Sequence, residues 1–163
     1  CGLVFYCDKC ILNEKEISLH DCILFTNKKN IFYNKQIRSM IKINKNFEAK
    51  FFIQKINKNS KCIIGITKDD LFEEDSSEEA NDVFGLIIPN GDKYSSDKGE
   101  ENFLEENVKE GDYIYMMMNE GILFFRINND EYKMGFNALN KASYYIYLRN
   151  MNLSNKTLLR ILN

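Results

Sequence analysis

Tryptophan is absent from the 163 residues, and histidine and proline occur once each. A chain without Trp lacks the favoured platform for stacking sugar rings. One His supplies no paired His/Glu zinc helix, and one Pro rules out a Pro-rich linker or a polyproline ligand. Glycine occurs only eight times, with no Gly-rich run to cradle a phosphate and no Ser-centred elbow for a hydrolase. No apolar run approaches the ~20 residues that a helical membrane span needs. Excess charge of one sign is also missing: the formal net charge is −2, so the whole chain is not built for a polyanion. These absences leave an enzyme without an identifiable catalytic constellation and point toward a binding domain.

What is present is a core. Hydrophobic residues make up 44% and aromatics 13% of the sequence, enough for one folded domain of this length. Charge is segregated along the chain. Lys28, Lys29, Lys35, Arg38, Lys42, Lys45, Lys50, Lys55, Lys58 and Lys61 face a single acid, Glu48, whereas acids dominate from Asp69 to Asp112. The basic stretch alternates with apolar residues and reads as solvated strand faces, which argues against a nucleic-acid site. The acidic stretch reads as solvated loops or, functionally, as a rim that attracts a basic partner segment. The chain starts at Cys1 rather than Met, as expected of a domain cut from a longer protein, and its Asn and Lys richness is like that of AT-rich genomes such as those of apicomplexan parasites.

Five cysteines, an odd number, with no secretory signal point to a reducing, intracellular compartment, the cytoplasm or nucleus, and against a disulfide framework. Four of them fall in the first 22 residues. Cys7-x-x-Cys10 followed by His20-x-Cys22 offers a zinc-like set. Against zinc, Ile17, Leu19, Ile23 and Phe25 alternate with His20 and Cys22 as the two faces of a strand. The expectation is free thiols, no cofactor, and residues 1–16 as a Cys-containing extension before a domain at 17–163.

Strand patterns dominate the rest. Expected strands are Ile17–Thr26, Ile31–Ile37, Phe47–Gln54, Cys62–Thr67, Val83–Ile88, Tyr113–Met118, Ile122–Ile127, Tyr144–Arg149 and Thr157–Leu162. Polar segments at 57–61, 68–82 and from Pro89 to Glu110 read as turns and acidic loops. Phe103–Val108 and Gly135–Leu139 each read as one helical turn. Met116-Met117-Met118 reads as sheet interior on both faces. Gly111 and Gly121 stand where tight turns need positive φ, and Gly65 and Gly85 where two backbones approach closely. About ten short strands with turn signals between them give an all-β, antiparallel two-sheet sandwich.

From Gly111 onward the sequence resembles the SPRY family. Gly111-Asp112 precedes the apolar strand Tyr113–Met118. Gly121-Ile122-Leu123-Phe124-Phe125-Arg126-Ile127-Asn128, Met134-Gly135-Phe136-Asn137-Ala138-Leu139 and Tyr144-Tyr145-Ile146-Tyr147-Leu148 follow in the family's order. Upstream, Phe47–Ile53 and Ile63-Ile64-Gly65-Ile66 are similar to its paired core strands. Phe84-Gly85, then Gly91 and Tyr94, sit where many members carry Trp-Gly and then a Gly and a Tyr. The resemblance implies a concanavalin-like jelly-roll sandwich and a protein-recognition module that catalyses nothing, often the substrate-recognition part of a ubiquitin ligase or scaffold. It implies a monomeric domain that takes a short peptide or epitope through loops at one end. Large or charged residues in the expected loops are the candidate contacts: Tyr33, Arg38, Asp70, Phe72, Glu73, Glu74, Asp75 and Met151. Carbohydrate binding, nucleic-acid binding and a purely structural role are the alternative readings of a β-sandwich.

Overall fold

In the computed structural model the described residues are 36–39, 43, 46–56, 59, 61–68, 80–137, 139, 144–151 and 158–162. Eleven strands occupy them: β1 (Gln36–Arg38), β2 (Phe47–Lys55), β3 (Cys62–Thr67), β4 (Val83–Ile88), β5 (Asp92–Ser95), β6 (Gly99–Glu101), β7 (Tyr113–Asn119), β8 (Ile122–Ile127), β9 (Lys133–Phe136), β10 (Tyr145–Asn150) and β11 (Leu158–Leu162). They form a six-stranded sheet, β1-β10-β3-β4-β5-β6, and a five-stranded sheet, β11-β2-β7-β8-β9. Every pairing is antiparallel. Among the described residues there is no helix.

The side-chain period of two decides where each strand sits. In β2, Ala49, Phe51 and Ile53 are buried and alternate with partly exposed Lys50 and Phe52, so one face of that strand points to the core. Every residue of β3 is buried, as its near-continuous apolar sequence foretells for a central strand. The inner faces of the two sheets meet in one core that includes Phe51, Ile64, Leu86, Ile114, Met116, Phe125, Ile146 and Leu148. Burying a side chain of that size contributes roughly 1.5–3 kcal/mol relative to leaving it in water.

Two turns fix the register of the five-stranded sheet. Glu120 (φ 49°) and Gly121 (φ 81°) make the two-residue loop of the β7–β8 hairpin, the positive-φ pair that matches strand twist. At the other end of β7, Gly111 (φ 92°) donates its N–H to Ile53 O at 2.8 Å, and Ile53 donates to Asp112 O at 2.9 Å. The Asp112 carboxylate accepts from Lys109 N at 2.7 Å and from Asn128 Nδ2 at 2.9 Å. Asn128 Oδ1 in turn accepts from Tyr113 N at 2.8 Å. The Gly-Asp pair thus ties β2, β7 and the turn after β8 together.

Three expectations are corrected. The segment after Pro89 is not loop throughout, since β5 and β6 form a hairpin there. Its polar sequence hid it because this is the edge of the sheet, where only Tyr94 and Ser95 are buried. Phe103–Val108 holds no helical turn: Leu104 and Val108 donate their N–H groups to Gly91 O and Pro89 O, which bind the segment to the β4–β5 turn. The residues from Gly135 begin in strand β9, because Gly135 lies flat against the Phe125 ring, 3.0 Å from where a Cβ would stand. In addition, Met117 faces outward while Met116 and Met118 are interior.

Residues 1–35 lie outside the described set, and with them the expected strand Ile17–Thr26, the start of Ile31–Ile37, the boundary at 16/17 and the Cys7, Cys10, His20 and Cys22 group. Among the described residues no group of three or more His, Cys, Asp or Glu is arranged to hold a metal ion.

Candidate interaction surfaces

Of the residues singled out as contacts, Tyr33, Asp70, Phe72, Glu73, Glu74 and Asp75 fall outside the described residues. Arg38 ends β1, in register with Tyr147, and its guanidinium stacks 4.0 Å above the Tyr145 ring. It is a strand residue on the outer face of the six-stranded sheet rather than a loop residue. Met151 is 38% exposed and donates its N–H to Lys61 O at 2.8 Å, at the end of the sheet where Asn150 pairs with Cys62. The acidic segment leaves from the opposite end. There Thr67 donates its hydroxyl to Asn81 O at 2.6 Å and Lys68 pairs with Asp82 at 3.1 Å. The length of β3, roughly 17 Å at ~3.3 Å per step, separates Met151 from that exit. The structure therefore does not bring Met151 and the start of the acidic segment to one rim.

Cys62 is fully buried, and burial pushes its thiol up to about 12. It is protonated at neutral pH and is no nucleophile.

The outer faces of the two sheets differ. On the six-stranded sheet, Ile63, Val83, Ile87, Tyr94, Tyr147 and Ala80 form a second buried cluster. Gln36 Oε1, itself buried, accepts from Tyr147 Oη at 2.7 Å and from Ala80 N at 3.3 Å. That face is closed. On the five-stranded sheet the outward residues stand in cross-strand rows. Glu48, Met117, Phe124 and Met134 are successive partners across β2, β7, β8 and β9. Lys50, Tyr115 and Arg126 form the next row, and Phe52 and Tyr113 the third. Met134 is 55% exposed, and Met117, Phe124, Phe52, Tyr113 and Tyr115 are each half-buried.

Cations stack within these rows. Arg126 meets two phenol rings, its Cζ 3.9 Å from the Tyr115 centroid and 4.7 Å from that of Tyr132. Lys50 Nζ sits 4.3 Å above Tyr113 and 5.0 Å above Tyr115. Phe52 and Tyr113 pack with centroids 5.1 Å apart. Tyr132 donates its hydroxyl to Glu48 Oε1 at 2.7 Å. Burial first, and then that hydrogen bond, push the Tyr132 phenol up to about 12. The Arg126 Nε is buried and meets no hydrogen-bond partner.

A cleft of about 500 Å³ opens on the flank where β6 and β9 end the two sheets, lined by Phe84, Ser95, Lys98, Met134 and Phe136 among others. Phe84 and Phe136 meet edge-on at 5.4 Å, so the residue standing in for a family Trp reaches the gap between the sheets. Sequence reasoning missed both the cleft and the aromatic rows. The rings of Phe52, Tyr113, Tyr115 and Phe124 are visible in the sequence, but nothing in one sequence tells the inner face of a sheet from an uncovered outer one.

In solved structures the same sandwich recurs. The SPRY domain of human HERC1 superposes with a TM-score of 0.61 at 16% identity, over 77% of this chain and 80% of that one. This is a SPRY fold. The TRIM65 PSpry domain aligns with the SPRY-like chain at TM-score 0.55 and 11% identity, over 80% of this chain and 72% of the other. Stonustoxin aligns at 0.55 and 13%, over 79% of this chain but 22% of its own length. No protein-family model matches the sequence, and no curated protein matches it.

Proposed function

We propose that this SPRY-like domain is a protein-interaction module that works inside the cell and carries out no catalytic step. The observation that carries the reading is the outer face of the five-stranded sheet. It displays Phe52, Tyr113, Tyr115, Met117, Phe124 and Met134 together, partly open to water, on a molecule whose opposite outer face is closed. Contiguous apolar surface of this kind marks interaction sites on soluble domains, and a rigid sandwich holds it at little ordering cost. The SPRY fold supports the same reading by analogy, since fold alone does not fix function.

In this proposal the partner contributes a short peptide or epitope, and the domain supplies partner choice to a ligase or scaffold. The acidic segment with Asp70, Phe72, Glu73, Glu74 and Asp75 adds a second contact for basic groups of the partner, and Tyr33, Arg38 and Met151 are further contact candidates. The test is affinity capture with the purified domain, then reconstitution with the purified partner. A saturable one-to-one complex is expected. A domain that instead turns over a substrate, or that binds only its own parent chain, contradicts the proposal.

A further inference from the structure

We propose that the outer face of the five-stranded sheet docks an acidic, apolar segment of a partner protein, with one carboxylate of that segment seated on the Arg126 guanidinium. This rests on the reading of the domain as a protein-interaction module and names the chemistry of its partner. The charges on the face are unbalanced. Among the described side chains its cations are Lys50 and Arg126, and neither has an ion-pair partner among the described residues. Lys61, Lys68, Lys93, Lys109 and Lys133 each have one, whereas Lys55 and Lys98, off this face, have none among the described residues. Among the described residues that point outward from its strands, the Glu48 carboxylate accepts from the Tyr132 hydroxyl.

Arg126 is also held ready. Its guanidinium already rests against the Tyr115 and Tyr132 rings, so its planar fork loses little freedom on binding. Its Nε is buried without an acceptor while the residue as a whole stays partly exposed. The approach left to a carboxylate is therefore to the outer nitrogens of the guanidinium, where a charge-assisted pair is strongest. The adjoining row, Met117, Phe124 and Met134, crosses β7, β8 and β9 two residues along β8 from Arg126 and offers an apolar track. Two of its three members are Met, a side chain that adapts to varied apolar partners. Beside the end of β8, Asp130 and Glu131 line a second cavity of about 460 Å³ together with Arg126.

The test is selection of a random peptide library displayed on phage against the 163-residue domain. It is followed by affinity measurement of the enriched peptides on wild type, Arg126→Gln and Met134→Asp. Enriched peptides that combine an Asp or Glu with apolar residues, and that lose at least about tenfold in affinity on either variant, are the expected result, as loss of one charged hydrogen-bonded pair implies. Met134 is the exposed edge residue, so its variant keeps the test valid if Arg126→Gln lowers stability. Enrichment of basic or neutral peptides, or acidic peptides indifferent to both substitutions, overturns the proposal while leaving the interaction module intact. An empty selection overturns it too, and taken with failed partner capture it removes both readings.

Discussion

Gly65 and Gly85 stand opposite each other in the β3–β4 register, and each backbone occupies the space the other's side chain would need. A Cβ on Gly65 would strike the Phe84 carbonyl oxygen and lie 2.6 Å from Gly85 Cα. Both neighbours are backbone in the centre of a sheet and have little room to give. Gly65→Ala is expected to cost roughly 1–3 kcal/mol, read as a lowered denaturant midpoint. Tyr132 gives the pH dependence at this scale. Its folded hydroxyl ionises near 12, above the ordinary value near 10, so the folded state binds the proton more tightly than the unfolded chain. Its contribution to stability is whole below pH ~10 and is lost as pH rises toward ~12. Phenolate absorbance of the native domain should show a late-titrating tyrosine that Tyr132→Phe removes.

The element most dependent on one side chain is the β7–β8 hairpin. Asp112 holds Lys109 N and Asn128 Nδ2, and the neighbouring backbone closes onto Ile53. Asp112→Ala leaves those donors without their acceptor and should lower stability by roughly 1–2 kcal/mol, with the denaturant slope unchanged. This hairpin was also the most legible part of the sequence. Gly111-Asp112, Glu120-Gly121 and Asn128 punctuate two apolar runs of strand length, and local turn rules suffice to place the hairpin there. β3 and β4 were legible for another reason, being short apolar runs ended by a polar turn or by Pro89. The β5–β6 hairpin and β9 were not. These strands are only three or four residues long, too short to show a period, and the Gly135 that packs against Phe125 sits where a helical turn is as easily read. The candidate site was less legible than the fold. Facing rows of Tyr and Phe carry the same sequence signal whether a second layer covers them or not.

For the whole molecule, the account joins a sandwich closed on one outer face to an aromatic, cation-bearing face on the other. The acidic segment between β3 and β4 departs at the end of the sheet marked by Thr67 and Lys68. Reversing Glu73, Glu74 and Asp75 to Lys should weaken a partner that uses basic groups there, and should leave the thermal unfolding midpoint in place. Unchanged affinity, measured calorimetrically over a range of salt, would remove that segment from the binding surface.

The most direct measurement is the affinity of a reconstituted partner for the double variant Met117→Glu/Met134→Glu, alongside its unfolding curve. Both side chains face outward on the five-stranded sheet, one half-buried and one exposed. The prediction is a native-like unfolding transition with at least about a tenfold loss of affinity, as expected when charge is placed in the apolar centre of an interface. A folded double variant that binds its partner as tightly as wild type would contradict the account.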